Sequence, residues 1–214
     1  MEKNTGKTET LNYVLSCLCS YNDVRIGITS IGIDGEKTDQ VTKTHKPEIS
    51  ISKNTLFITS EHFYKQKEIV SNIIAISQKG TSLGRLITAE AVSEGKVLLA
   101  GASNTLWLKE TIRELHSLKA NLVLVDGALS RKSFGSPSIT DAMILLTGAA
   151  LSININTLVQ KTAFVYRLTQ LESIEKPLAK KLQHIETGIY AIDYKNKLLD
   201  LNIPSILMIE QYKD

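Results

Sequence analysis

Met1-Glu2-Lys3-Asn4-Thr5-Gly6-Lys7-Thr8 runs straight into Leu11, Val14, Leu15 and Leu18, apolar residues at helical spacing. A glycine, a lysine and a threonine therefore stand at the first turn of an amphipathic helix expected over Thr8–Tyr21. Each residue type has a physical job there. Glycine adopts backbone dihedrals barred to other residues and lets the chain come close to a ligand. The N–H groups at a helix start form a nest for an anion, and lysine adds a point charge. A threonine hydroxyl in the next position can bind Mg²⁺ beside a phosphate. The octapeptide fits G-x-x-x-x-G-K-[ST] everywhere except its first position, where Met1 stands. G-K-T also occurs by chance at helix starts, so the reading leans on the helix that follows and on an acidic strand end further along.

On this reading Asn4, Thr5, Gly6, Lys7 and Thr8 bind nucleotide, Lys7 also acts in catalysis, and Thr8 is a metal ligand. A phosphate loop of this kind normally follows a central strand. An open sheet without that strand would leave backbone edges unpaired, so the first strand is expected upstream of Met1.

The acidic strand end is Ala120-Asn121-Leu122-Val123-Leu124-Val125-Asp126-Gly127-Ala128. An apolar strand ending in a carboxylate places Asp126 at the carboxyl edge of a sheet, where it can hold Mg²⁺ directly or through water. Asp-Gly is also an ordinary turn dipeptide. Upstream, Ile26-Gly27-Ile28-Thr29-Ser30-Ile31-Gly32-Ile33-Asp34-Gly35-Glu36-Lys37-Thr38-Asp39 is a strand entering an acidic loop. Asp34 is the catalytic candidate of that loop and Asp39 its metal candidate, against the plain alternative of solvated loop acids. Arg131 is a candidate phosphate contact, competing with an exposed surface arginine. His45, His62, His116 and His184 lack metal-ligand spacing, and Trp107 is read as packed in the interior.

Near-continuous Val, Ile and Leu runs suit strands buried on both faces. Those runs are Val24–Gly32, Thr55–Ser60, Val97–Gly101, Leu122–Asp126, Met143–Thr147 and Ser205–Ile209, with Ile73–Ser77 and Gly84–Ala89 as weaker candidates. Helical patterns lie between them. Asn104–Ala120 has Asn104 as cap, a short helix opens at Ser136-Pro137, and Thr157–Leu171 and Ile174–Ile185 follow. The expected fold is α/β: a P-loop NTPase-like, doubly wound, mainly parallel sheet with helices on both faces. Residues 1–214 are taken as a single such domain, with 152–214 as a more helical accessory part.

Lys plus Arg is 25 and Asp plus Glu is 22, a formal charge of +3 that gives no footprint for nucleic acid. No run approaches the roughly 18 apolar residues of a membrane span. The polar start carries no secretory signal, and Cys17 and Cys19 lie two apart on the first helix, unable to bridge each other, so a reduced cytoplasmic setting is expected.

Together, Gly6-Lys7-Thr8, the acidic loop after Ile33 and Val125-Asp126-Gly127-Ala128 resemble the dethiobiotin-synthetase and nitrogenase-iron-protein branch of P-loop proteins, over roughly residues 1–150. The resemblance implies metal roles for Asp126 and for Asp34 or Asp39, and phosphate roles for Gly6, Lys7 and Thr8. A narrower resemblance rests on Thr29-Ser30-Ile31-Gly32-Ile33-Asp34-Gly35-Glu36, Val125-Asp126-Gly127-Ala128-Leu129-Ser130-Arg131, Ser136-Pro137 and Leu146-Thr147-Gly148-Ala149. These look like the small subunit of a reactivating factor associated with cobalamin-dependent lysine 5,6-aminomutase. That resemblance implies an ATPase subunit working beside a larger ATPase partner. The alternatives are an ATP-dependent ligase resembling dethiobiotin synthetase, or a nucleotide-binding module without hydrolysis. Guanine readers carry N-K-x-D. The nearest stretch, Asn196-Lys197-Leu198-Leu199-Asp200, is one residue too long and sits in what reads as a helical pattern, so ATP with Mg²⁺ is the expected ligand.

Overall fold

Alternating helices and apolar runs organise the computed structural model, which describes residues 5–21, 23–31, 48–127, 139–170, 172, 174–183, 185, 189–195 and 197–202. Helix α1 (Lys7–Leu18) leads to β1 (Ile26–Ser30), then β2 (Ile49–Ile51) and β3 (Leu56–Ser60). A single turn, α2 (Glu61–Tyr64), precedes the hairpin of β4 (Ser71–Thr81) and β5 (Gly84–Ala91), and β6 (Gly95–Val97) follows. Helix α3 (Thr105–Ser117), strand β7 (Leu122–Asp126) and helix α4 (Ile155–Thr169) come next. These elements belong to a first compact unit, Met1–Thr169. The second unit, Gln170–Asp214, contains α5 (Lys176–Leu182) and an antiparallel pair, β8 (Tyr190–Ile192) with β9 (Leu198–Asp200).

Five strands form the main sheet in the order β4-β5-β3-β1-β7. Its core is parallel, since β1 runs parallel to both β3 and β7. The far side is antiparallel, because β5 pairs with β3 and β4 in that sense. The expected mainly parallel sheet is therefore a mixed one. The reason is local: Thr81 pairs with Gly84 across a two-residue turn, and such a tight turn joins only antiparallel neighbours. Gly84 carries the turn at φ 91°, a region that favours glycine.

The strand expected over Val97–Gly101 is shorter. Only Gly95–Val97 is strand, paired with β2. The residues beyond it are held in another way: the Thr59 hydroxyl donates to the Leu98 carbonyl at 2.7 Å and accepts from the Ala100 N–H at 3.2 Å. Gly101 then passes against β1 so closely that a Cβ there would lie 1.6 Å from the Ser30 carbonyl oxygen. Met143–Thr147 is not a strand. No named strand lies in register with it, and Met143 and Ile144 are exposed. An apolar run becomes a strand only where a ladder receives its N–H and C=O groups. Leu198–Asp200, read as helical, is strand β9. The expected helix at Ser136 and strand at Ser205–Ile209 lie outside the described residues.

Two apolar clusters flank β1, β3 and β7. Leu15 of α1 packs in the first with Ile26, Ile28 and Phe57, and Leu124 joins it. Leu108 and Leu115 of α3 pack in the second with Leu56, Ile58 and Trp107, and Val123 and Val125 join it. Successive β7 residues thus go to opposite clusters, as the two-residue period of a strand requires. Gly27 is needed for the close approach of α3, since a Cβ there would meet the Leu115 and Ala120 Cβ atoms at 3.2 and 3.1 Å. Asn104 caps α3 as expected, accepting from the Trp107 N–H at 2.9 Å.

Candidate functional site

Helix α1 starts at Gly6, whose φ of 81° and ψ of 16° put it in the left-handed region, with no side chain capping the helix. Nothing lies within 4 Å of where its Cβ would be, so the dihedral rather than crowding calls for glycine. The first helical bond is already formed, the Thr10 N–H donating to the Gly6 carbonyl at 2.9 Å. N–H groups in the first turn have no carbonyl four residues back, so a helix start without a side-chain cap can receive an anion. Thr5, just before the turn, is buried.

Strand β7 ends at Asp126, directly beside Ser30 of β1. The Asp126 carbonyl accepts from the Ile31 N–H at 2.8 Å, which holds the two strand ends together as the chain turns away. Gly127 follows where a Cβ would come within 3.1 Å of the Ile31 Cδ1. The Val125-Asp126-Gly127 stretch therefore has a packing reason for its glycine besides the turn.

The helix start and the strand end meet. Lys7 and Asp126 line one groove of about 380 Å³, together with Thr10, Gly127 and Asp141. A lysine on a helix N-terminus facing a carboxylate at a strand's carboxyl end is an arrangement able to bind a phosphorylated ligand with a divalent ion. Thr8 is the next residue of α1 and half-buried. Asn4, Asp34, Asp39 and Arg131 lie outside the described residues. Thr10 and Asp141 were not singled out from sequence. Thr10 carried a signal, since it stands one helical turn after Lys7. Asp141 sits in an irregular stretch whose composition marks it as a turn and nothing more.

Among the described residues no group of three or more His, Cys, Asp or Glu side chains is placed to hold a metal ion. A nucleotide-bound Mg²⁺ takes only one or two protein ligands, with phosphate and water supplying the rest. A second hollow, of about 530 Å³, opens at the amino end of β1, lined by Arg25, Glu90, Asp23 and Lys53. Its main feature is an ion pair, Arg25 Nη2 to Glu90 Oε1 at 2.6 Å. In open α/β sheets ligands gather at the carboxyl ends of the parallel strands, which favours the Lys7–Asp126 groove. Trp107 is buried in the second cluster, as its packed reading requires. No helix among the described residues is long and apolar enough to cross a membrane. Cys17 and Cys19 are free and exposed, with Cys19 Sγ 2.6 Å from Ser52 Oγ.

No protein-family model, curated protein sequence or solved structure matches the chain.

Proposed function

We propose that this chain is a P-loop nucleotide-binding protein, taking ATP with Mg²⁺ at the N-terminus of α1. The observation that carries the reading is the convergence of Lys7 and Asp126 on one groove at the carboxyl end of β7. The residues suit the ligand chemically. Gly6 leaves open space at a helix start that lacks a side-chain cap. Lys7 supplies a cation for phosphate oxygens, and the Thr8 hydroxyl and Asp126 carboxylate are the hard oxygen ligands that Mg²⁺ prefers. When bound, the ion would neutralise charge developing on the phosphate oxygens during transfer. The doubly wound P-loop architecture, with helices against both faces of the sheet, belongs to the same proposal. The two apolar clusters, one holding Leu15 of α1 and the other Leu108 and Leu115 of α3, support it.

The purpose we infer is hydrolysis in the service of a larger ATPase partner, in the cytoplasm, for reactivating a cobalamin-dependent aminomutase. This rests on the sequence resemblance together with the absence, among the residues lining the groove, of a Cys–His pair or a histidine cluster. The ligase alternative would need a pocket for a small carboxylic acid beside the phosphates. Calorimetric titration with Mg-ATP tests the nucleotide site. Lys7→Ala should weaken binding by roughly 1.5–3 kcal/mol for each charge-assisted hydrogen bond it removes. Equal affinity in both proteins would overturn it. Reconstitution of inactivated lysine 5,6-aminomutase with the larger ATPase, ATP, Mg²⁺ and adenosylcobalamin tests the purpose. Recovery that is indifferent to this chain would reject it.

A further inference from the structure

Helix α1 is held by little apolar surface. Leu15 is its one buried residue, and Leu11 and Leu18 pack only partly on the same cluster. Apolar contact has no direction, so it leaves a helix some freedom to turn about its axis. A directional contact removes that freedom. Asn12 Nδ2 donates to the Glu48 carbonyl at 3.3 Å, and Asn12 Oδ1 accepts from the Ser50 N–H at 3.0 Å. In a strand, residues two apart turn their backbone groups to the same edge, so both bonds fall on one edge of β2. Among the described strands β2 has β6 alone as partner. The Asn12 amide offers a donor and an acceptor side by side, as a peptide group does, and stands in for a strand along the other edge.

Strand β2 is a firm support for it. Ile49 and Ile51 are buried with Val97 in the first cluster, and the Lys96 amine of β6 pairs with Glu48 Oε2 at 3.2 Å. Asn12, Leu15 and the cap residue Cys19 recur at i, i+3 and i+7, which is one face of the helix. Leu15 packs in the cluster of Ile49 and Ile51, and Cys19 Sγ lies 2.6 Å from Ser52 Oγ, just past β2. Lys7, Leu11 and Val14 recur at i, i+4 and i+7 on a face turned by about 100° from the first. That second face lines the groove holding Asp126. Fixing one face on β2 fixes the other towards β7. Asn12 lies five residues after Lys7, roughly 7.5 Å along the axis, so it acts on the lysine through the helix and not by contact.

We propose that Asn12 is a positioning residue: its side-chain amide, paired with the outer edge of β2, sets the rotation of α1 that turns Lys7 into the groove beside Asp126. The consequence for ligand rests on the nucleotide reading above. A lysine already aimed at the phosphates loses less freedom when they bind, so affinity rises without a new contact.

Wild type, Asn12→Ala, Lys7→Ala and the double variant test this. Alanine is the best helix former, so Asn12→Ala keeps α1. Hydrogen exchange at the Ser50 amide should speed about ten-fold or more once its acceptor is gone. Lys7 is half-buried. Without nucleotide, acylation of its amine by an N-hydroxysuccinimide ester, read by mass spectrometry, should quicken several-fold in Asn12→Ala. With Mg-ATP, Asn12→Ala should weaken binding by about ten-fold where Lys7 is present, and by less than about two-fold where Lys7 is already alanine. Losses that simply add in the double variant would make Asn12 a support of the fold and nothing more, and overturn the proposal. So does Lys7 labelling, or Ser50 exchange, that is the same with and without Asn12, whatever the variants do to ATP. If Lys7→Ala alone leaves ATP affinity unchanged while Lys7 labelling still follows Asn12, the nucleotide reading falls and the placing of Lys7 by Asn12 stands.

Discussion

Strands β1 and β7 lie side by side, Ile26 against Leu122 through Ser30 against Asp126, and both read as uninterrupted apolar runs. Yet every residue of β1 is buried and every residue of β7 is half-buried. Composition is therefore a statement about the environment a strand is made for, and burial about the environment it has. Strand β1 has a partner on each side and helices packed on its side chains. Strand β7 has the same apolar character, with β1 alone beside it among the described strands. The mismatch, rather than either observation alone, marks β7 as a strand whose surroundings among the described residues fall short of its composition.

The largest expected effect lies where β1 is most constrained. Gly101→Ala would press a Cβ to within 1.6 Å of the Ser30 carbonyl, a backbone atom that no rotamer change can move away. The loop or the end of β1 must shift, and we expect a loss above about 4 kcal/mol, or no folded protein. Urea denaturation measures it, and an unchanged midpoint would mean that this loop does not cross β1. Ile28→Ala comes next, because Ile28 is fully buried: about 2–5 kcal/mol, as for other cavity-forming changes. Its register partner Leu124 is half-buried, and Leu124→Ala should cost about half as much. Equal costs would show that Leu124 is covered as completely as Ile28.

Sequence reading worked where the local pattern and the tertiary setting agree. Helix α3 had its Asn104 cap, and it forms where expected. Strands β1, β3 and β7 had runs long enough to be unambiguous. Reading failed where the deciding partner is distant. Nothing within Met143–Thr147 says that no ladder is available to it. Strand β4 was a weak candidate, and in the structure Ile73, Ile74 and Ile76 are all exposed, so no inward and outward alternation marks a face. Gly101 looked like the end of a strand, and only the approach of Ser30 reveals its purpose. The candidate site was partly legible: Lys7 and Asp126, far apart in the chain, share a groove because the sheet brings them together. Asp141 was hidden because no regular element carries it.

Asp126→Asn separates fold from function at the carboxyl end of β7. The strand pairing uses the Asp126 backbone, which the change leaves intact, so the melting temperature should hold. Losing the carboxylate charge should weaken Mg²⁺ dependence of nucleotide binding by about ten-fold, equivalent to 1.4 kcal/mol. A full Mg²⁺ response in the variant would assign the metal to another residue.

The smallest effect is the most discriminating between the two ends of the sheet. At the amino end of β1, Arg25 and Glu90 form an ion pair at 2.6 Å with side chains 37% and 31% exposed. Water and salt screen such a pair, and holding two long side chains in one geometry costs entropy, so its net worth is under about 1 kcal/mol. Glu90→Gln should lower stability by no more than that, with the difference shrinking further as salt is raised. Its effect on Mg-ATP affinity should be nil, because the hollow around Arg25 lies at the end of β1 opposite to Lys7 and Asp126. A clear loss of affinity in Glu90→Gln, with Lys7→Ala unaffected, would move the ligand to the amino end. The convergence at β7 would then be a packing arrangement, with the lysine and carboxylate doing no more than solvating the end of the strand.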